Sequence, residues 1–232
     1  MLSLENKFIR MVKILLFPIL LFNFFSLSSY AQMIITDGTL KYNISIKSTG
    51  NSAVPKSFQG ATYNLYLKGN LSRSDFNNGL GIESSIFDGK NGKGLIIKEY
   101  SGQKLMINLI RDNWLSQNQV FQNLKFNIGT EEKKINGFVC KRATANLQNG
   151  ELLTVYFNPD LLLSNKDYNT AFPGVPGLPV QFTRQQGSFI FEYNLNSINY
   201  DVVSSVTFEY PKSGYRVLSY EEAQKLNKGE QK

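Results

Sequence analysis

Apolar and polar residues alternate along most of this 232-residue chain, and this alternation constrains the fold more than any other feature. The segment LKYNISI places Leu40, Tyr42, Ile44 and Ile46 on one face of an extended chain. Such alternation is typical of a strand with one buried face. The same pattern predicts strands at 61–69, 71–76, 82–88, 94–100 and 104–110. Between them lie Gly-Asn, GKNGKG and SGQ, which favour tight turns.

The second half of the chain continues this pattern. Residues 124–161 predict a strand, a charged turn at EEKK, a strand, a turn at Gln-Asn-Gly and another strand. Residues 187–200 and 201–210 predict two further long strands. Residues 219–229 predict a helix with Ser219 as its N-cap. A further helical turn is expected at 109–118 or at 158–168.

About ten or more strands in sequential hairpins, with few helices, predict a mainly β fold. A sheet with one apolar face must curl on itself or accept a partner that covers that face. We therefore expect a single large curved antiparallel sheet, a half-barrel or open barrel, with one or two short helices. Residues 32–232 contain neither a repeat nor a low-complexity linker, so we expect them to form one β-rich domain.

The first 31 residues have the pattern of a secretory signal peptide. Basic residues precede an apolar run at 14–25, and a small-residue cleavage site ends at Ala31. We expect cleavage there and export to the periplasm or the cell exterior, with association with the outer membrane as one alternative. A retained anchor is the other alternative, although a membrane span needs roughly 20 apolar residues. Either Met1 or Met11 serves as the start.

The composition excludes several kinds of chemistry. The sequence contains no histidine, so Ser-His-Asp and Cys-His catalysis are excluded, whereas hydrolysis by paired carboxylates stays open. GKNGKG at 89–94 lacks the Gly-Lys-Ser/Thr ending of a phosphate loop. We expect no enzymatic activity, no cofactor, no metal and no catalytic residue. The net charge of +7 is scattered rather than clustered, so we expect no nucleic-acid partner.

Cys140 is the only cysteine, and it alternates with Phe138 in a predicted strand. This position favours a buried apolar thiol over a nucleophile or an intermolecular disulfide.

Two stretches, residues 133–161 and 172–182, together resemble the GLPGLI family of exported Bacteroidetes proteins of unknown function. The first matches the family pattern at Lys134, Ile135, Gly137, Phe138, Cys140, Arg142 and Ala143. The second, GVPGLP at 174–179, matches the namesake hexapeptide at four of six positions, which are Gly174, Pro176, Gly177 and Leu178. Pro179 stands where the family has isoleucine, and it removes a backbone donor where the family would begin a strand.

The resemblance implies an exported protein of the cell envelope and transfers no catalytic residue. A more distant fold likeness is to periplasmic lipoprotein carriers and their outer-membrane receptors, in which a curved antiparallel sheet cradles a lipid-binding cavity.

Function is therefore expected to be non-enzymatic binding of an apolar small molecule or lipid on the inner face of the sheet. We expect residues 171–182 to form a stiff extended segment across the sheet, with Phe172, Val175, Leu178 and Val180 turned inward as a lid. A rigid connector that caps the core is the alternative for this segment. The alternative function is that of a structural or accessory partner of another envelope protein, such as an outer-membrane transporter.

Overall fold

The computed structural model describes residues 32–51, 53–117, 119–148, 150–168, 171–172 and 174–229. The expected signal peptide at 1–31 lies outside the described residues, so the cleavage site and the start at Met1 or Met11 stay predictions. No helix among the described residues is long and apolar enough to cross a membrane.

Strands dominate the described part of the chain. They are β1 Met33–Ile35, β2 Asp37–Ser48, β3 Thr62–Lys68, β4 Leu71–Asn78, β5 Gly81–Asp88, β6 Lys93–Tyr100, β7 Gln103–Ile110, β8 Asn127–Ile135, β9 Phe138–Asn146, β10 Leu152–Asn158, β11 Leu161–Leu163, β12 Leu178–Gln186, β13 Phe189–Asn199 and β14 Arg216–Leu218. The α-helices are α1 Arg111–Ser116 and α2 Tyr220–Gly229, and short 3-10 turns lie at Lys56–Phe58, Gln119–Phe121 and Ser205–Phe208.

Twelve of these strands form one sheet in the order β14-β7-β6-β5-β4-β3-β2-β13-β12-β10-β9-β8. Neighbouring strands pair antiparallel, except that β14 runs parallel to β7. The outer strands β14 and β8 do not pair with each other, so the sheet is open rather than a closed barrel. A twisted sheet of this many strands curls. The mainly β fold, with a large curved antiparallel sheet and two helices, is confirmed.

The apolar positions of β2, β3 and β13 face the concave side of the sheet, whereas β5 and β6 bury apolar side chains on both faces. Tyr42 on β2 lies opposite Tyr63 on β3 and Leu195 on β13. Part of this face is a filled core of aliphatic side chains with at most 1% exposure, among them Leu40, Leu65, Leu67, Val155, Leu178, Val180 and Leu195. Burial of each such side chain contributes roughly 1.5–3 kcal/mol relative to exposure, so this core stabilises the middle of the sheet.

The helices lie where the sequence predicts them. Ser219 caps α2 through a reciprocal capping box, because its Oγ accepts from the Glu222 backbone N–H (3.1 Å) and its own N–H donates to Glu222 Oε2 (2.7 Å). Of the two places for a further helical turn, 109–118 contains α1 and 158–168 contains β11 instead. Both helices pack on the concave side of β6 and β7 through Trp114 and Ala223.

The charged turn predicted within 124–161 is wrong, because the EEKK residues lie inside β8. The chain reverses instead at Asn136 and Gly137, between β8 and β9. β8 is an outer strand of the sheet, and charged side chains on such a strand discourage pairing with another chain.

The strand predicted at 201–210 is also wrong. These residues form an irregular strap, defined here as residues 201–215, over the convex face of β3 to β7. Val203 and Phe208 are buried against Ile86, Leu95 and Ile97. Lys68 Nζ donates to the Val203 carbonyl (2.8 Å), and Arg73 Nη1 donates to the Thr207 carbonyl (2.9 Å). The five-residue spacing between the buried side chains fits this strap and not a strand.

The proline-rich segment enters the sheet earlier than expected. Leu178 and Val180 belong to β12 and are fully buried, and the expectation that they act as part of a lid stays a prediction. β12 accommodates Pro179 by a bulge: Gln181 pairs with Tyr156 and Pro179 with Phe157, which leaves Val180 as the extra residue. A bulge tolerates a residue that has no N–H to donate.

Candidate functional site

The concave face of the sheet encloses a cleft of about 1510 Å³, called here the large cleft. Strands β3 to β7 supply one wall, and β10, β12 and β13 supply the opposite wall. Helices α1 and α2 contribute Trp114, Tyr220 and Ala223. The cleft therefore lies between the two halves of the curved sheet.

Aromatic rings form the wall on the side of β12 and β13. Antiparallel pairing places Phe182 opposite Tyr193, and their rings stack at 4.7 Å with an interplanar angle of 9°. Tyr63 meets Tyr193 edge-on at 5.6 Å, and Phe58 meets Phe191 edge-on at 5.6 Å. Edge-on and offset contacts are the preferred aromatic geometries, so this wall is well packed and apolar.

Small side chains create the open volume. Ser74 on β4 lies opposite Ser85 on β5, and both line the large cleft. Ser74 lies two residues before the inward-facing Phe76, and Ser85 lies two residues before the inward-facing Phe87. The alternation predicts a large apolar residue at both serine positions. Sequence reasoning missed these two serines. A small residue at an inward position of an alternating strand is the signal that could have found them.

Charged side chains of both signs line the cleft, namely Glu83, Lys98, Glu151 and Arg184. Glu83 and Lys98 face each other across β5 and β6 and form an ion pair of 3.1 Å. Arg184 lies on β12, two residues after Phe182, with its guanidinium carbon 5.6 Å from the ring centre of Phe121 and 5.9 Å from that of Phe172. These distances are those of cation–π contacts. The sequence analysis did not single out Arg184.

Several tyrosines of the cleft stay protonated at neutral pH. Burial raises the pKa of Tyr63 and Tyr168 above the usual value, and it raises the pKa of Tyr193 to about 12. The positive charge of Arg184 acts in the opposite direction on all three. Their hydroxyl groups are therefore neutral donors at physiological pH.

Loop 164–168 follows β11 and contacts α1, and its residue Tyr168 lines the large cleft. Trp114 Nε1 donates to the Asp167 carbonyl at 2.8 Å, and Arg111 Nη1 lies 3.3 Å from Asp167 Oδ2. Arg111 also donates to the Gly89 carbonyl in the turn between β5 and β6. Trp114 is the only tryptophan of the chain and stacks on Phe87 at 4.6 Å, so its fluorescence reports on this part of the cleft.

A second cavity of about 700 Å³, called here the small cleft, lies beneath the proline-rich segment. Phe172 and Val175 line it, as do Gly174, Pro176 and Gly177. Phe172 is buried and packs edge-on against Phe182 at 4.8 Å, whereas Val175 is half-buried. Their role in ligand binding stays a prediction, and Leu178 and Val180 belong to the filled core.

The remaining motif residues have structural positions. Gly177 passes so close to β10 that a Cβ there would lie 2.3 Å from the Asn158 carbonyl oxygen, so only glycine fits. Gly137 lies in the exposed turn after β8. Cys140 is fully buried in β9, and burial raises the pKa of its thiol to about 11. No group of three His, Cys, Asp or Glu residues within the described ranges could hold a metal ion.

Fold and cleft together define an open, curved antiparallel sheet with a large aromatic-lined cavity. No protein-family model matches the chain, and a comparison with curated proteins gave no match. Among solved structures, the chain is similar to PNGF-II, with 12% identity and a TM-score of 0.46 over 82% of this chain and 33% of PNGF-II. The chain thus spans about a third of the length of PNGF-II.

Two further structures are similar at low identity. An uncharacterized conserved protein from Thermus thermophilus has 8% identity and a TM-score of 0.48, over 79% of this chain and 91% of that protein. A chain of the MucA/MucB complex of Pseudomonas aeruginosa has 10% identity and a TM-score of 0.38, over 76% of this chain and 56% of that chain.

Proposed function

We propose that this protein is a non-enzymatic binding module of the cell envelope that holds the apolar chain of a lipid in its large cleft. The observation that carries the proposal is the open volume of about 1510 Å³ on an aromatic concave face. A core that served stability alone would be filled, since protein interiors are close-packed. Here the filled core around Leu65 and Leu195 lies beside the open cleft.

The volume favours a long ligand over a small metabolite. Pockets for drug-sized ligands measure about 300–1,000 Å³, and the large cleft exceeds that range. Stacked and edge-on rings on one wall supply the apolar surface that a hydrocarbon chain would cover. Many of the other lining side chains are polar, so the hydrocarbon chain would lie along the wall that carries the rings.

Export and family membership are parts of the same proposal. The basic and apolar pattern of residues 1–31 supports a cleaved signal peptide and a periplasmic or extracellular location. The GLPGLI resemblance is supported by Gly177, whose close approach to β10 gives the hexapeptide glycine a physical requirement.

A chain-length series tests the proposal. The mature protein is titrated with saturated fatty acids of 10, 12, 14 and 16 carbons below their micelle concentrations, with Trp114 fluorescence as the readout and calorimetry as a second method. Each buried methylene contributes about 0.8 kcal/mol, so affinity is expected to rise roughly fourfold per added carbon. No binding at any length would overturn the proposal.

Filling the cleft gives an independent check. Ser85→Phe adds a ring at an inward position and is expected to weaken binding of the 16-carbon acid about tenfold, the equivalent of roughly two buried methylenes. Ser45→Phe is the matched control, because Ser45 is an exposed residue on the opposite face of the sheet. Equal loss in both variants would contradict a binding site in the large cleft.

A further inference from the structure

Arg184 breaks the alternation of β12 on the side that faces the large cleft. Phe182 is part of the aromatic wall, and Arg184 lies two residues later on the same face of β12. A strand with one buried face would carry an apolar residue at this position. Arg184 therefore places a permanent positive charge on a wall that is rich in aromatic rings. Arg184 is half-buried, and its guanidinium lies over the rings of Phe121 and Phe172.

The position of the guanidinium is fixed from two sides. Phe121 belongs to the short turn after α1, and Phe172 belongs to the segment that precedes β12. Contacts with two rings restrict the rotamers of a long side chain, so less entropy is lost when it binds a further group. The planar fork of arginine matches carboxylate and phosphate oxygens, and it stays charged at every physiological pH.

Two neutral hydroxyl donors of the cleft interact electrostatically with Arg184. Tyr168 and Tyr193 line the same cleft, and burial keeps both phenols protonated well above neutral pH, with the pKa of Tyr193 at about 12. An oxyanion close to Arg184 would thus meet a guanidinium and hydroxyl donors together. A cationic head group would meet the repulsion of Arg184 instead.

We infer that the ligand of the large cleft is an anionic amphiphile, with its carboxylate or phosphate head group bound by Arg184 and its chain along the aromatic wall. This inference rests on the proposed function and adds the charge of the ligand to it. The two head groups share the oxyanion that the arginine fork recognises.

Four probes with 16-carbon chains test the inference: hexadecanoate, hexadecyl phosphate, hexadecanol and hexadecyltrimethylammonium. Wild-type protein is expected to bind at least one of the two anions about tenfold to a hundredfold more tightly than hexadecanol, the range of a charge-assisted hydrogen bond. Whichever anion binds more tightly identifies the head group. The ammonium probe is expected to bind more weakly than hexadecanol.

Arg184→Gln is expected to lose this preference for anions and to keep the affinity for hexadecanol. Arg184→Lys is expected to keep part of the preference, because it retains the charge but not the fork. Lys41→Gln is the matched control, since Lys41 is exposed on the opposite face of the sheet and its substitution is expected to leave the preference unchanged. Melting temperatures of all variants establish that they fold.

The outcomes separate the two proposals. If wild-type protein binds hexadecanol as tightly as both anions, the inference fails and the proposed function stands, and this result does not depend on any variant folding. An unchanged anion preference in a folded Arg184→Gln variant would overturn the inference as well. If none of the four probes binds, the proposed function itself fails.

Discussion

At the residue scale, single inward-facing positions decide which part of the sheet is core and which part is cleft. Leu65 on β3 is fully buried in the filled core. Its cross-strand partner Ser74 on β4 lines the large cleft. The two residues lie opposite each other on the same face of the sheet, and the serine side chain is both smaller and polar. The serine hydroxyls keep the strand amphipathic without filling the space in front of it.

Cys140 provides a test of burial at one residue. Its thiol is fully buried, and burial raises its pKa to about 11. Because the thiolate is the reactive form, we expect Ellman's reagent at pH 8 to label native Cys140 at least about a hundredfold more slowly than an exposed thiol. The rate is measured by absorbance in native buffer and in urea.

The matched comparison moves the thiol by one position. Val139 precedes Cys140 on β9 and is 44% exposed, so the double variant Cys140→Ala/Val139→Cys carries an exposed thiol on the same strand. Its labelling is expected to be fast in buffer and equal to that of wild-type protein in urea. Equal native rates for the two proteins would show that Cys140 is accessible and reactive.

At the element scale, the strands of the first half could be predicted closely, whereas two segments of the second half could not. β2 to β7 follow the alternation closely, and β3 to β6 are each followed by a short turn. β8 has no buried face of its own along most of its length, so its charges look like those of a turn. Residues 201–210 look like a strand but form the strap, since the strap also buries apolar side chains against the sheet.

The charges of β8 are expected to keep the molecule from associating through its edge. Glu132 and Lys134 are exposed on this outer strand, next to the exposed Val139 of β9. Replacing both by valine leaves the net charge unchanged and creates a flat apolar edge. We expect the Glu132→Val/Lys134→Val variant to self-associate at micromolar concentration, as measured by light scattering after size-exclusion chromatography.

The control removes the same two charges from the middle of the sheet. Lys41 on β2 and Glu192 on β13 each have a paired strand on both sides. The Lys41→Val/Glu192→Val variant therefore adds apolar surface without a free edge and is expected to keep the elution volume of wild-type protein. Association of this control to the same extent would show that apolar surface, and not the edge, is responsible.

At the scale of the whole molecule, the sequence predicts the open curved sheet but not its site. The large cleft is assembled from Tyr63, Trp114, Tyr168 and Arg184, which belong to separate elements. No local pattern joins them, because the site depends on the curl of the sheet and on loop 164–168 contacting α1. The proline-rich segment, the strongest local motif, lines the small cleft instead.

The titratable groups of the molecule predict how stability depends on pH. The chain contains no histidine, the side chain that ordinarily titrates between pH 5 and 8. Burial raises the pKa of Tyr42, Tyr63 and Tyr168 above the usual value. It raises that of Tyr193 to about 12 and that of Cys140 to about 11. We therefore expect the free energy of unfolding to be nearly constant between about pH 6 and 8.

Above that range the sign of the change is fixed. A buried phenol with a raised pKa keeps its proton in the folded state after the unfolded chain has lost it near pH 10. Its contribution to stability is complete below that pH and is lost as the pH rises through the folded value. Stability should start to fall near pH 9 through Cys140 and fall more steeply above pH 10 through the tyrosines. Urea unfolding followed by circular dichroism between pH 6 and 11 measures this dependence.

One substitution isolates a single phenol. Tyr193→Phe keeps the ring stacked on Phe182 and removes the titrating group, so the slope above pH 10 should become shallower by about 1.4 kcal/mol per pH unit. Tyr200→Phe is the control, because Tyr200 is 52% exposed, and it should leave the slope unchanged. A Tyr193→Phe variant with the wild-type slope would mean that Tyr193 titrates alike in both states. The aromatic wall would then be accessible to water rather than the apolar surface that a bound hydrocarbon chain requires.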